Sequence, residues 1–531
     1  MKIQPSGNWS AIFAPAQPHI AKFEIFCYHV PRMRISIAAA LLIALAALAY
    51  LGLRSAPEAA PEERAGATKE SARAMDPAPR EDEKEDEEDE EAKAARIARD
   101  YPIEGVVRYF QLAIREEPRR DARTLGFIRR NTKVRARTLE GDHPGCSNGY
   151  VELYPKGYAC AGTEILIDGE GEIAEEHRVF PPPDSEHALP YDYYFVTMED
   201  APVMKRFPRN YREREAVLAY VRRLRHFKRN EPEKLDAFLE GQIEEEPRRP
   251  WVIDRFLARG YYISGPREVD DGKRYVRNAQ GEVLFADALL KIEASEHQGV
   301  HLGGDVKLPL GFVARPGRPS RIIKDEQGNE ALVDDEEAEL YGRYHVLHGS
   351  TKREQIGRFL AHRIDEEWAF KEWFVAHAER IDPPNEVGAH EIWIHVDLSE
   401  QTLVVYRGAE PIFATLVSTG VEDHATPPGL FRIDKKFVGR TMNDVSPDTP
   451  RGDQYRIEDV PYTQYYQGSY AIHAAFWHDR LGIPRSHGCV NLSAHDAMTV
   501  FNLTGPELPE SWFGIYDDPG DETGSWIYLT E

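Results

Sequence analysis

Ala471-Ile-His473 and, a little further on, Ser486-His-Gly-Cys-Val-Asn491-Leu492 decide how this chain reads. A cysteine stands directly behind a glycine and a histidine, with a second histidine upstream. A thiol attacks as thiolate, and a nearby imidazole can take its proton, so His473 or His487 can activate Cys489. Gly488, lacking Cβ, allows a backbone turn in which the amides of His487, Gly488 and Cys489 converge on a developing oxyanion. Ser486 and Asn491 carry side-chain hydrogen-bonding groups able to lock such a turn, whereas Val490 and Leu492 read as core anchors. His473, His478, His487 and Cys489 are also metal-ligand types. No pair of them has the short spacing that fixes ligands on one element, so a thiol catalyst without metal or organic cofactor is the preferred reading.

The run Ser486 to Asn491, preceded by His473, resembles the signature of the L,D-transpeptidase (YkuD-type) family, cysteine enzymes that remodel bacterial peptidoglycan. The resemblance covers about residues 391–529. It implies Cys489 as nucleophile, His473 as general base oriented by the Ala474 carbonyl, and His487 and Gly488 on the oxyanion side with Ser486. It further implies a tyrosine-rich approach to the cleft, where Tyr465 or Tyr466 can meet the substrate. Arg485, beside the motif, can pair with a substrate carboxylate, and Asn491 completes the expected substrate-side set. The implied substrate is a peptidoglycan stem peptide, cleaved between a diamino acid and D-alanine and passed to an amine acceptor. Two rivals are an inert wall-binding protein and a carboxypeptidase or cysteine amidase that uses water.

Around this centre the chain of 531 residues has a formal charge of −24, which argues against a nucleic-acid partner. Residues 35–53 form an apolar run bracketed by Arg34 and Arg54, long enough to span a bilayer as a helix or signal anchor. Lys2, Lys22, Arg32 and Arg34 make the segment 1–34 basic, which by charge asymmetry leaves everything after Leu53 outside the cytoplasm. The catalytic part is then expected in the periplasm or cell envelope, held at the inner membrane. Met33-Arg-Ile-Ser-Ile reads as an alternative translation start. Residues 54–100, rich in Ala, Glu and Pro, are expected to be a disordered linker, with a short helix starting within Ala92 to Arg99.

The remainder reads as mainly β. Short apolar runs between turn signals place a small barrel-like module at 101–190, where Cys146 and Cys160 are candidates for a disulfide in an exported region. A second β-rich region with a helical connector occupies 191–385. Glu213 to Phe227 has apolar residues at helical spacing, and Asp236 to Gln242 and Trp251 to Ala258 read as further helical turns. Residues 386–531 form the catalytic domain, opened by strand signals at Ile392–Val396, Thr402–Tyr406 and Pro411–Val417.

Overall fold

A computed structural model describes residues 90–141, 143–167, 183–184, 187–349, 353–445, 454–517 and 523–531. The expected membrane span at 35–53, the basic segment before it and the linker up to residue 89 lie outside the described residues. Among the described residues no helix is long and apolar enough to cross a membrane. The first described element is a helix, Glu90–Asp100, which begins inside the stretch read as linker. Arg99 meets the negative C-terminal end of this helix, which favours helix there.

Residues 103–167 form seven short strands whose buried residues, Leu112, Ile114, Ile128, Ala136, Leu153 and Ile165, make one core. Cys146 and Cys160 are disulfide-bonded across 5.6 Å between Cα atoms. Further along, the helix Tyr211–Asn230 is capped by Asn210, whose side chain accepts from the Glu213 amide. It buries Val217, Tyr220, Val221, Leu224 and Phe227 against a five-stranded sheet. Trp251 to Ala258 departs from the helical expectation, because Ile253–Leu257 is a strand paired antiparallel with Ala201–Met204. Its apolar ends, Ile253 and Leu257, are used on the sheet, a pairing that local periodicity does not reveal.

The C-terminal region is built from two sheets. One runs, strand beside strand, through Val300–His301, Glu410–Leu416, Thr402–Arg407, Ile392–Asp397, Trp526–Thr530 and Gly429–Arg432. The other holds the long strands Lys435–Asp444 and Tyr455–Gln467, followed by Tyr470–Ala474 and Val490–Leu492. Between them Ile394, Leu403, Val405, Ile472, Val490 and Leu492 pack with the helix Ala494–Leu503, whose Ser493 cap accepts from the Asp496 amide.

The second sheet does not end at the C-terminal region. Gly514–Tyr516 pairs with Gly126 and Phe127 on one side, and Tyr262 pairs with Ile457 on the other, giving a fifteen-stranded sheet that runs across the regions read as separate modules. Asp459 is where they are riveted. Its carboxylate pairs with Arg129 and accepts from Ser264 Oγ at 2.7 Å, while its carbonyl accepts from Tyr193 Oη at 2.6 Å. The Arg129 guanidinium lies between the Phe110 and Phe513 rings, 4.1 and 4.0 Å from their centroids. Arg129 and Asp459 are only 1% and 3% exposed, so removing one partner strands the other's charge away from water. Asp459→Asn is therefore expected to cost about 3–5 kcal/mol in urea unfolding. A loss below about 1 kcal/mol, the range of an exposed pair, would contradict this joint.

Candidate active site

Two short strands position the chemistry. Tyr470–Ala474 runs parallel to Val490–Leu492, with Ile472 opposite Val490, His473 opposite Asn491 and Ala474 opposite Leu492. Side chains alternate along a strand, so Ile472, Ala474, Val490 and Leu492 enter the core. His473, Cys489 and Asn491 then share the opposite face and line a cavity of about 630 Å³. The alternation between small apolar and functional residues in the two sequence runs is this two-faced pairing.

His473 is buried, and its Nδ1–H donates to the Ala474 carbonyl at 3.0 Å, because a carbonyl can only accept. That bond leaves Nε2 as the unprotonated nitrogen. Burial pushes the imidazole down to about 4, only partly opposed by the Ala474 carbonyl. Cys489 is the free cysteine among the described residues and is half-buried. Burial pushes its thiol up to about 11, a rise tempered by a backbone contact to Ala471, and Sγ lies 3.8 Å from the Ser469 carbonyl. Both shifts favour the neutral forms, a thiol and an imidazole lining one cavity.

The turn before Cys489 is locked as a unit. Ser486 Oγ accepts from the Gly488 amide at 3.0 Å and donates to the Cys489 carbonyl at 2.5 Å. Thr426 Oγ1 donates to the Gly488 carbonyl at 2.8 Å and accepts from the Gly420 amide at 2.9 Å. Gly488 has φ +109°, and a Cβ there would lie 2.5 Å from Tyr470 Cε1, so glycine is required on both counts. His487 is exposed at the rim, its ring 4.5 Å from that of His424 and 6.1 Å from that of Tyr455.

The substrate-side residues separate. Tyr465 and Arg485 line the cavity, as does Asn491, whose amide lies 3.0 Å from His478 Nε2. Tyr466 points the other way, into the core beside Phe431, and is not among the cavity's lining residues. Adjacent residues on a strand face opposite sides, so the pair named in the sequence cannot share one role and the cleft assignment rests on Tyr465. Burial raises the Tyr465 phenol, Arg440 lowers it, and Cys489 raises it further.

Sequence reasoning did not single out Trp477, Tyr262, Arg440 or Tyr455, all of which line the cavity. Trp477 could have been found from its place just past the strand bearing His473, and its ring lies 5.7 Å from the His473 ring. His478, weighed only as a metal-ligand type, is neutral here, pushed down to about 4 first by burial and then by Arg485 and His473. Among the described residues no group of three metal-ligand side chains is placed to hold an ion.

Residues 391–510 match the YkuD family, the L,D-transpeptidase catalytic domain. A putative L,D-transpeptidase, YciB of Bacillus subtilis (strain 168), is 24% identical over 135 residues, 22% of this chain and 62% of that protein. The chain thus spans under two thirds of that relative's length. Among solved structures, an L,D-transpeptidase from Mycobacterium smegmatis is 20% identical, with 31% of this chain and 72% of that one covered and a TM-score of 0.22. L,D-transpeptidase 3 from Mycobacterium tuberculosis is also 20% identical, over 27% of this chain and 61% of that one, with a TM-score of 0.22.

A thiol and an imidazole that both rest neutral have a measurable pH signature. With the thiol near 11, iodoacetamide labelling of the peptide containing Cys489 should keep rising from pH 6 to pH 10, by about tenfold per unit. A rate that is flat through neutrality would instead reveal a preformed imidazolium–thiolate pair.

Proposed function

We propose that this protein is a peptidoglycan L,D-transpeptidase that works through a thioester on Cys489. His473 Nε2 takes the thiol proton as the sulfur attacks the carbonyl carbon of the diamino acid in a tetrapeptide stem. The amides of the His487–Cys489 turn receive the negative charge that develops on the carbonyl oxygen. Collapse of the tetrahedral intermediate breaks the bond to D-alanine, whose amine leaves with the proton held by His473. An amine of a second stem then attacks the thioester, gives its proton to His473 and forms the new amide, and the sulfur departs as the thiol. Water in place of the amine makes the same site a carboxypeptidase. The stem structure and the acceptor come from the family resemblance. A membrane anchor at residues 35–53 and a location in the cell envelope belong to the same proposal.

One observation carries this reading: His473, its Nδ1–H held by Ala474 and its Nε2 therefore left unprotonated, lines the same cavity as Cys489. A neutral thiol needs a base at the moment of attack, and a neutral imidazole is that base at every pH above about 5, given a group pushed down to about 4. Incubation with a carbapenem should add its mass to the wild-type protein at Cys489. Cys489→Ala should give no adduct, and His473→Gln should acylate about 100-fold or more slowly, the range of general-base assistance. A wild-type protein that forms no adduct would favour the inert wall-binding reading, and a Cys489→Ala variant that still forms one would exclude Cys489 as the nucleophile.

A further inference from the structure

The cleft is not walled by the family-matched segment alone. Tyr262 lines it from the strand Tyr262–Ser264, far outside residues 391–510. That strand is paired on both sides, in parallel at Tyr262 with Ile457 and antiparallel at Tyr262 with Phe195, so the backbone fixes where the phenol sits. Its ring is held 5.2 Å from Phe195, 5.7 Å from Phe476 and 6.3 Å from Trp477. Burial raises the hydroxyl and the Arg485 charge lowers it, and both residues line the same cavity.

The charge of the cleft is opposite to that of the chain. Its described lining holds Arg440 and Arg485 and neither Asp nor Glu, in a protein of formal charge −24. His473 and His478 are held neutral, so the arginines carry the field. Arg440 is engaged with the Tyr465 hydroxyl. Arg485 is anchored through its backbone, whose N–H donates to the Thr419 carbonyl at 2.8 Å, while its side chain lines a wall that holds no carboxylate among the described residues.

We propose that Tyr262 and Arg485 together bind the terminal carboxylate of the acyl donor, so that a region outside the matched domain sets which donors the cleft accepts. This rests on the thioacyl reading above. In a tetrapeptide donor the leaving residue carries the chain's terminal carboxylate, one residue beyond the scissile carbonyl. A guanidinium and a phenolic O–H are the pair of donors that such an anion takes, and the carboxylate repays the desolvation of both. The donor class is then a stem ending in a free carboxylate directly after the scissile bond. Lengthening or amidating the donor removes the charge from that point.

The test uses the full chain with two donors, a disaccharide-tetrapeptide and its C-terminal amide. Thioacyl formation is followed by intact mass for the wild type, Tyr262→Phe and Arg485→Gln, with iodoacetamide labelling of the Cys489 peptide as a readout of the thiol and its turn. The wild type should use the free acid about tenfold or more better than the amide, in kcat/KM, the worth of a charged hydrogen bond. Each variant should lose that preference by slowing more on the acid donor than on the amide. Equal use of both donors by the wild type overturns the proposal, and so does a variant that slows alike on both. A wild type that forms no thioester from either donor overturns the acyl-transfer reading instead.

Discussion

The buried pair between Arg129 and Asp459 is the constraint on which the rest of the molecule depends. Both charges are taken out of water, at a cost of several kcal/mol each that only close pairing and further hydrogen bonds can offset. Ser264 and Tyr193 supply those bonds to Asp459, and the Phe110 and Phe513 rings cover both faces of the guanidinium. The result is one joint that four separate parts of the chain must reach together. Asp459 stands on the strand Tyr455–Gln467, which also carries Tyr455, Ile457 and Tyr465 to the cleft. Whatever holds Asp459 therefore also holds one wall of the site.

This coupling gives the upstream β regions a role in the cleft. Had they been separate modules on a tether, the cavity beside Cys489 would be closed only by residues of the matched domain. Instead, hydrogen bonding continues from the catalytic sheet into Gly126–Phe127 on one flank and Tyr262 on the other. Backbone pairing of this kind leaves little freedom for one region to move against the next. The electrostatics follow the same plan: carboxylates dominate the chain as a whole, yet among the described residues the cleft is lined by Arg440, Arg485 and the neutral imidazoles of His473 and His478, with no carboxylate.

The proposed nucleophile, its proposed base and the locked turn before Cys489 could be picked out in the sequence because their logic is local. His473 sits between the core-facing Ile472 and Ala474 on one strand, and Ser486 to Asn491 is a single turn running into the next, while the choice of His473 over His487 as base came from the family resemblance. The helix around Val217, Tyr220 and Leu224 was legible for the same reason, as its apolar stripe repeats within a few residues. What escaped was set by pairing between distant segments. Ile253–Leu257 took strand geometry because Ala201–Met204 offered it a partner. Tyr262 reaches the cleft only through its bridge to Ile457, about two hundred positions away, and nothing near Tyr262 in the chain announces that. Tyr465 and Tyr466 look equivalent as letters, and only the facing of their strand sends one to the cleft and the other to the core.

The central claim is that the sulfur of Cys489 itself carries the acyl group of the donor. The most direct measurement is rapid acid quenching during turnover of a disaccharide-tetrapeptide, followed by intact and peptide mass analysis. The account predicts a transient species heavier by the donor minus D-alanine, mapped to the peptide that contains Cys489 and absent after treatment with neutral hydroxylamine, which cleaves thioesters. Release of D-alanine with no acyl group ever found on Cys489 would contradict it.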